Sequence, residues 1–116
     1  MSKQAGNIAE NAAISTLIDN GYKILFRNYY CRFGEIDIIA EEKDVIVFVE
    51  VKQRSGAGFG GAISAITQHK IDKIIKTATI YLQENKLSNV DWRIDAVLLE
   101  GVKAPEIMKN IYTEGF

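Results

Sequence analysis

Apolar residues recur at two spacings along this chain, and their order predicts the architecture. From about Gln4 to Asn20 they fall three and four apart, with Ala9, Ala13, Ile14, Leu17 and Ile18 on one stripe, and Asn20-Gly21 follows as a helix stop. Tyr22 to Cys31 reads as a first strand. Gly34 to Ala40 alternates charged and apolar residues, and Val45 to Lys52 is oily on both faces, as in a central strand covered on each side. Between them Glu41-Glu42-Lys43-Asp44 makes a polar turn of hairpin length, so these two strands are expected to pair antiparallel. A second helix is expected from about Thr67 to Asn85, burying Ile71, Ile74, Ile75, Ala78 and Leu82 and supported outside by Asp72 and Lys76 four apart. Trp92 to Leu99 reads as a fourth strand, and Glu106 to Tyr112, after the only proline, as a short closing helix. Helix, three strands, helix, strand fits a mixed sheet with helices on its faces.

Charge placement departs from this plan at one point. Glu50 and Lys52 end the oily strand and, two apart, share a face with Ile46 and Phe48. Charges there are costly unless they have a use. In the hairpin, if Ala40 faces Val45, then Glu35 lies opposite Glu50 with Asp37 diagonal at about 7–8 Å; a slip of two residues puts Asp37 directly opposite Glu50. Either register gathers Glu35, Asp37, Glu50 and Lys52 on one face. Three clustered carboxylates and one lysine imply a compensating cation, and Mg²⁺ suits them because it prefers carboxylate oxygens and keeps waters that can act as nucleophiles.

Composition sets bounds on this reading. The 116 residues, 47% hydrophobic and 25% charged, suit one compact soluble domain over residues 1–116. The single cysteine, Cys31, precludes an internal disulfide and reads as a small core residue. No apolar run approaches the roughly 20 residues of a membrane helix, and the first residues do not resemble a secretion signal, so the cytoplasm is the expected compartment and no membrane partner is expected. A net charge of −1 argues against tight nonspecific nucleic-acid binding, although catalytic acids account for part of that balance.

Asp37, a twelve-residue gap and then Glu50-Val51-Lys52 resembles the motif of the PD-(D/E)XK nuclease superfamily, with Ile36 where the superfamily name has proline. Gly6-Asn7-Ile8-Ala9-Glu10 with Ala13, Gly21 to Leu25, Arg27-Asn28, Gly34-Glu35-Ile36-Asp37, Val47 to Lys52 with Arg54, Lys70 and Lys73, Tyr81-Leu82, Arg93 to Val97 and Phe116 are together similar to the YraN-like family of small bacterial proteins. The resemblance spans nearly the whole chain. It implies an α/β, restriction-endonuclease-like core of order α-β-β-β-α-β, with Asp37 and Glu50 as Mg²⁺ (or Mn²⁺) ligands, the Val51 carbonyl as a third, and Lys52 acting on the attacking water and the phosphate.

The leading reading is a metal-dependent nuclease acting on DNA, including branched or junction DNA; the alternative is a noncatalytic nucleic-acid- or partner-binding protein on the same scaffold. A structural module whose acids bind a stabilising cation is a third. Glu35 is treated as an auxiliary acid. Arg54, Lys70 and Lys73 are candidate nucleic-acid contacts, while Lys76, with Asp72 as partner, and His69 read as surface residues. Glu10 shares the helix stripe with Ala13, Ile14 and Leu17, which leaves two readings: an acid aimed inward at the site, or a capping box in which Asn7 caps the helix. The Gly-x-x-x-Glu pattern of the resembled family favours the former. The loop from Ser55 to Gly61, with four glycines, lacks the spacing of a nucleotide-binding P-loop and reads as a connection or as a flap beside the site. A homodimer is left open.

Overall fold

A computed structural model describes residues 2–54 and 66–112. The elements run α1 (Ser2–Asp19), β1 (Lys23–Cys31), β2 (Gly34–Glu42), β3 (Val45–Arg54), α2 (Gln68–Glu84), β4 (Asp91–Glu100) and β5 (Glu106–Met108). One five-stranded sheet takes them in chain order: β1, β2 and β3 pair antiparallel, β4 joins β3 in parallel, and β5 returns antiparallel to β4. The α-β-β-β-α-β order expected of a restriction-endonuclease-like core is present, with one added edge strand.

The two faces of β3 divide the core. Val47 and Val49 look toward α1 and join Ala13, Leu17, Tyr22, Ile38 and Val97, whereas Ile46 and Phe48 look toward α2 and join Ile71, Ile74, Ala78, Tyr81 and Ile94. Phe48 meets both Tyr81 and Trp92 edge-on. Its burial on both sides is what the unbroken oily run of β3 requires.

The helix ends follow from local chemistry. In α1 the Tyr22 amide bonds the Leu17 carbonyl and the Gly21 amide the Ile18 carbonyl, a Schellman closure in which Gly21 takes φ 90°, and Tyr22 then packs beside Leu17. The Thr67 side chain accepts the Lys70 amide at 3.2 Å and so caps α2.

Several expectations need correction. The hairpin turn is only Lys43-Asp44, both at positive φ as a type I′ turn demands, so Glu41 and Glu42 belong to β2. Its twist matches that of the flanking strands, which lets pairing run to the turn. Glu106 to Met108 is a strand, not the start of a helix: an edge of β4 was available, and Ile107 and Met108 bury against opposite faces of it. On α1, Ile18 is 55% exposed rather than on the buried stripe. The helix begins at Ser2, which places Asn7 inside it and removes the capping box. Ile75 and Leu82 only flank the core, and Thr77 and Tyr81 take the buried places on α2. Cys31 is only partly buried, because it closes the β1–β2 hairpin.

Candidate functional site

The observed register decides between the two hairpin alignments. Ile38 lies opposite Val49 and Ala40 opposite Val47, so the slipped alignment holds, and Asp37 follows on toward Glu50. Paired positions end at Ile38. Beyond them the Val51 amide donates to Asp37 Oδ2 at 2.8 Å, so a side chain takes over where the backbone ladder stops. This pins the Asp37 carboxylate against β3 beside the start of Glu50-Val51-Lys52.

Asp37, Glu50 and Lys52 line a hollow of about 390 Å³ at the end of the sheet, with Lys70 and Lys73 of α2 across it and Glu35 at its rim. Glu50 is nearly buried, and its Oε2 is approached by two ammonium groups, Lys52 Nζ at 3.6 Å and Lys70 Nζ at 3.3 Å. Lys70 thus serves as a partner of a site acid as well as lining the cleft. Among the described residues no group of three acids, histidines or cysteines converges as a metal cage.

Protonation reflects the crowding. Burial first, and the Glu50 carboxylate second, push the Asp37 carboxyl up to about 8, against the lowering effect of the Val51 amide. Burial, with Lys70 beside it, holds the Lys52 ammonium below the usual lysine range, while Glu50 and Asp37 pull the other way. Lys52 is the more enclosed of the two lysines, which is why desolvation acts most on it.

Glu10 lies on the opposite helix, and its side chain does not line the hollow. Its Oε1 accepts from the Asn28 side chain at 3.2 Å and lies 3.5 Å from the Arg27 guanidinium. Asn28 has φ 55° within β1, a conformation Asn tolerates better than most residues. Even so, the Glu10 charge reaches Asp37 and adds to the rise in its pKa. The Arg54 side chain and the loop 55–61 lie outside the described residues.

A second polar cluster sits on the α1 face. Asp95 is fully buried and accepts from Tyr22 Oη at 2.7 Å, Arg93 Nε at 2.9 Å and the Asn110 amide at 2.9 Å. Arg93 also reaches Glu42, which Lys109 meets at 3.0 Å. The pattern reading singled out charges two apart inside an apolar strand at Glu50 and Lys52. Arg93 and Asp95 repeat it on β4, and applying the same test there would have found them.

The fold and site together define a class: an α/β protein with a mixed sheet, an acid pair and a lysine at the end of its central hairpin. The chain belongs to the uncharacterised protein family UPF0102, whose profile matches residues 9–99, as the likeness to YraN-like proteins implied. A UPF0102 protein of Neisseria gonorrhoeae (strain NCCP11945) is 43% identical over 111 residues, 96% of each chain. Another, from Sulfurihydrogenibium sp. (strain YO3AOP1), is 50% identical over 98 residues, 84% of this chain and 85% of the relative. Among solved structures, an EndoMS–double-stranded DNA complex superposes with a TM-score of 0.43 at 17% identity, over 83% of this chain and 38% of that one, a likeness too loose to bear on activity.

Proposed function

We propose that this protein is a divalent-metal-dependent nuclease that hydrolyses phosphodiester bonds in DNA. The observation that carries the reading is that Asp37 and Glu50 meet, with Lys52, in one hollow just beyond the last paired position of β2 and β3. Two carboxylates brought together in a buried hollow, one of them held protonated up to about 8 by burial and by the other, fit a hard cation better than they fit each other.

Asp37 and Glu50, with the Val51 carbonyl, would hold Mg²⁺ or Mn²⁺, the remaining positions falling to water. Such an ion supplies an acidified water and neutralises charge on the phosphate. The chain's own residues do the rest. Lys52, held below its usual pKa, is suited to accept a proton from an attacking water and to face the phosphate oxygen once protonated. Lys70 and Lys73, across the hollow, supply positive charge to the incoming phosphate. Glu10 tunes Asp37 through its charge.

Incubating the protein with linear, nicked, single-stranded and four-way-junction DNA, with Mg²⁺ or Mn²⁺ and with chelator, tests the reading. Metal-dependent cleavage of any of them that Lys52→Met abolishes supports it. Binding without turnover under every condition would favour the noncatalytic alternative.

A further inference from the structure

Outside the acid pair, a ring with two cations over it stands at the tip of the β1–β2 hairpin. Cys31 pairs with Gly34 across the two-residue turn Arg32-Phe33, which places Phe33 at the tip. Gly34 takes φ 152°, with its Cα facing Thr77 and Lys73, so the tip is laid against α2 beside the hollow. The Arg32 guanidinium lies 5.0 Å from the Phe33 ring centroid and Lys76 Nζ 5.9 Å from it. Asp72, the expected partner of Lys76, accepts from Gln68 at 2.9 Å.

Lys70 and Lys73 line the hollow and Lys76 reaches Phe33, so the three lysines run along α2 from the acid pair to the hairpin tip. Six residues of helix span about 9 Å, the length of roughly two to three stacked nucleotides.

We infer that Phe33, with Arg32 and Lys76, is a stacking site for an unpaired DNA base two or three nucleotides from the phosphate that Lys70 and Lys73 attract to the hollow. A base stacked on an aromatic ring, or on a guanidinium plane laid over one, is a sequence-tolerant contact used for single strands, whereas a paired base keeps its faces inside the duplex. The site therefore selects DNA with an overhang, flap or unpaired arm over blunt duplex. This inference rests on the nucleic-acid reading of the hollow.

The test is binding in chelator, where cleavage plays no part. A duplex carrying a three-nucleotide overhang with 2-aminopurine in it, the same duplex blunt, and an RNA-overhang version are titrated with the wild type, Phe33→Leu and Phe33→Tyr, each first shown to melt normally. The wild type and Phe33→Tyr are expected to bind the DNA overhang about tenfold more tightly than the blunt duplex and to quench the fluorophore. Phe33→Leu is expected to lose both preference and quenching while holding blunt duplex as before. Equal affinity of Phe33→Leu and wild type for the overhang, no preference over blunt duplex, or tighter binding of the RNA overhang would overturn the assignment. Cleavage in Mn²⁺, measured separately, reports on the acid pair alone: a protein that binds as expected but does not cleave contradicts the nuclease reading and leaves the stacking site standing.

Discussion

The Val51 amide donates to Asp37 Oδ2 at 2.8 Å, the first contact beyond the last paired position of β2 and β3. It ties an acid of one strand to the backbone between the acid and lysine of the next. The cluster is thereby fixed before any ligand arrives, as a site holding a hard cation needs.

Metal-free protein should lose stability as pH rises from about 4 to about 8. Asp37 keeps its proton in the fold up to about 8 but sheds it near 3.8 when unfolded. Across that window the unfolded chain binds fewer protons, so alkalisation favours unfolding. Thermal melts in chelator should show this slope in the wild type and a flatter one in Asp37→Asn. Mg²⁺ at pH 8 should raise the wild-type melting temperature and leave the variant's unchanged. An unchanged slope in Asp37→Asn would mean that another group sets the pH dependence.

Glu10→Gln should move the Asp37 titration downward, because it removes one of the charges that raise it. Carboxyl carbon NMR shifts followed against pH would show this. With the capping box removed by the position of the helix start, the fold should be little disturbed. A fixed Asp37 midpoint would confine Glu10 to its contacts with Arg27 and Asn28.

The Arg93 cluster should behave as structure rather than chemistry. Arg93→Met leaves Asp95 fully buried without its cation, which costs about 3–5 kcal/mol in comparable buried pairs. Urea unfolding would measure it, and a loss under 1 kcal/mol would contradict the account. Acid acts on the same cluster in the opposite sense from Asp37. The hydrogen bond from Arg93, then Lys109, holds the Glu42 carboxyl below 4.5, so its contribution is present above about pH 4.5 and lost as pH falls below that.

Lys52→Met keeps the apolar stem and removes the ammonium, so folding should survive. Any hydrolysis should fall by about two to four orders of magnitude, the usual worth of a positioned acid–base or charge-stabilising group. Cleavage at the wild-type rate would exclude Lys52 from the chemistry.

The pattern of oily and charged positions was enough to place both helices, the hairpin and the fourth strand, because each buries a face with its own period; that the fourth strand runs parallel to β3 comes from the structure. Asp37, Glu50 and Lys52 were legible for the same reason: charges at even spacing where an apolar face was expected. Two alignments stayed open because both put the acids on one face; the Lys43-Asp44 turn decides between them, and a turn between four polar residues is poorly marked by composition. Phe33 and Lys76 were not legible as neighbours. Their meeting depends on how the β1–β2 tip lies on α2, and Asp72 offered Lys76 a plausible local partner that the fold gives to Gln68. Strand β5 was missed because three residues carry too little periodicity to separate an edge strand from a helical turn.

The most direct measurement compares cleavage and binding in a single variant. With a junction or overhang DNA in Mg²⁺, Asp37→Asn should cleave at least about a hundredfold more slowly than wild type, while its DNA affinity in chelator stays within about threefold, since removing a site acid does not weaken contacts to phosphate. Cleavage by Asp37→Asn at the wild-type rate would contradict the claim that the Asp37–Glu50 pair carries the reaction.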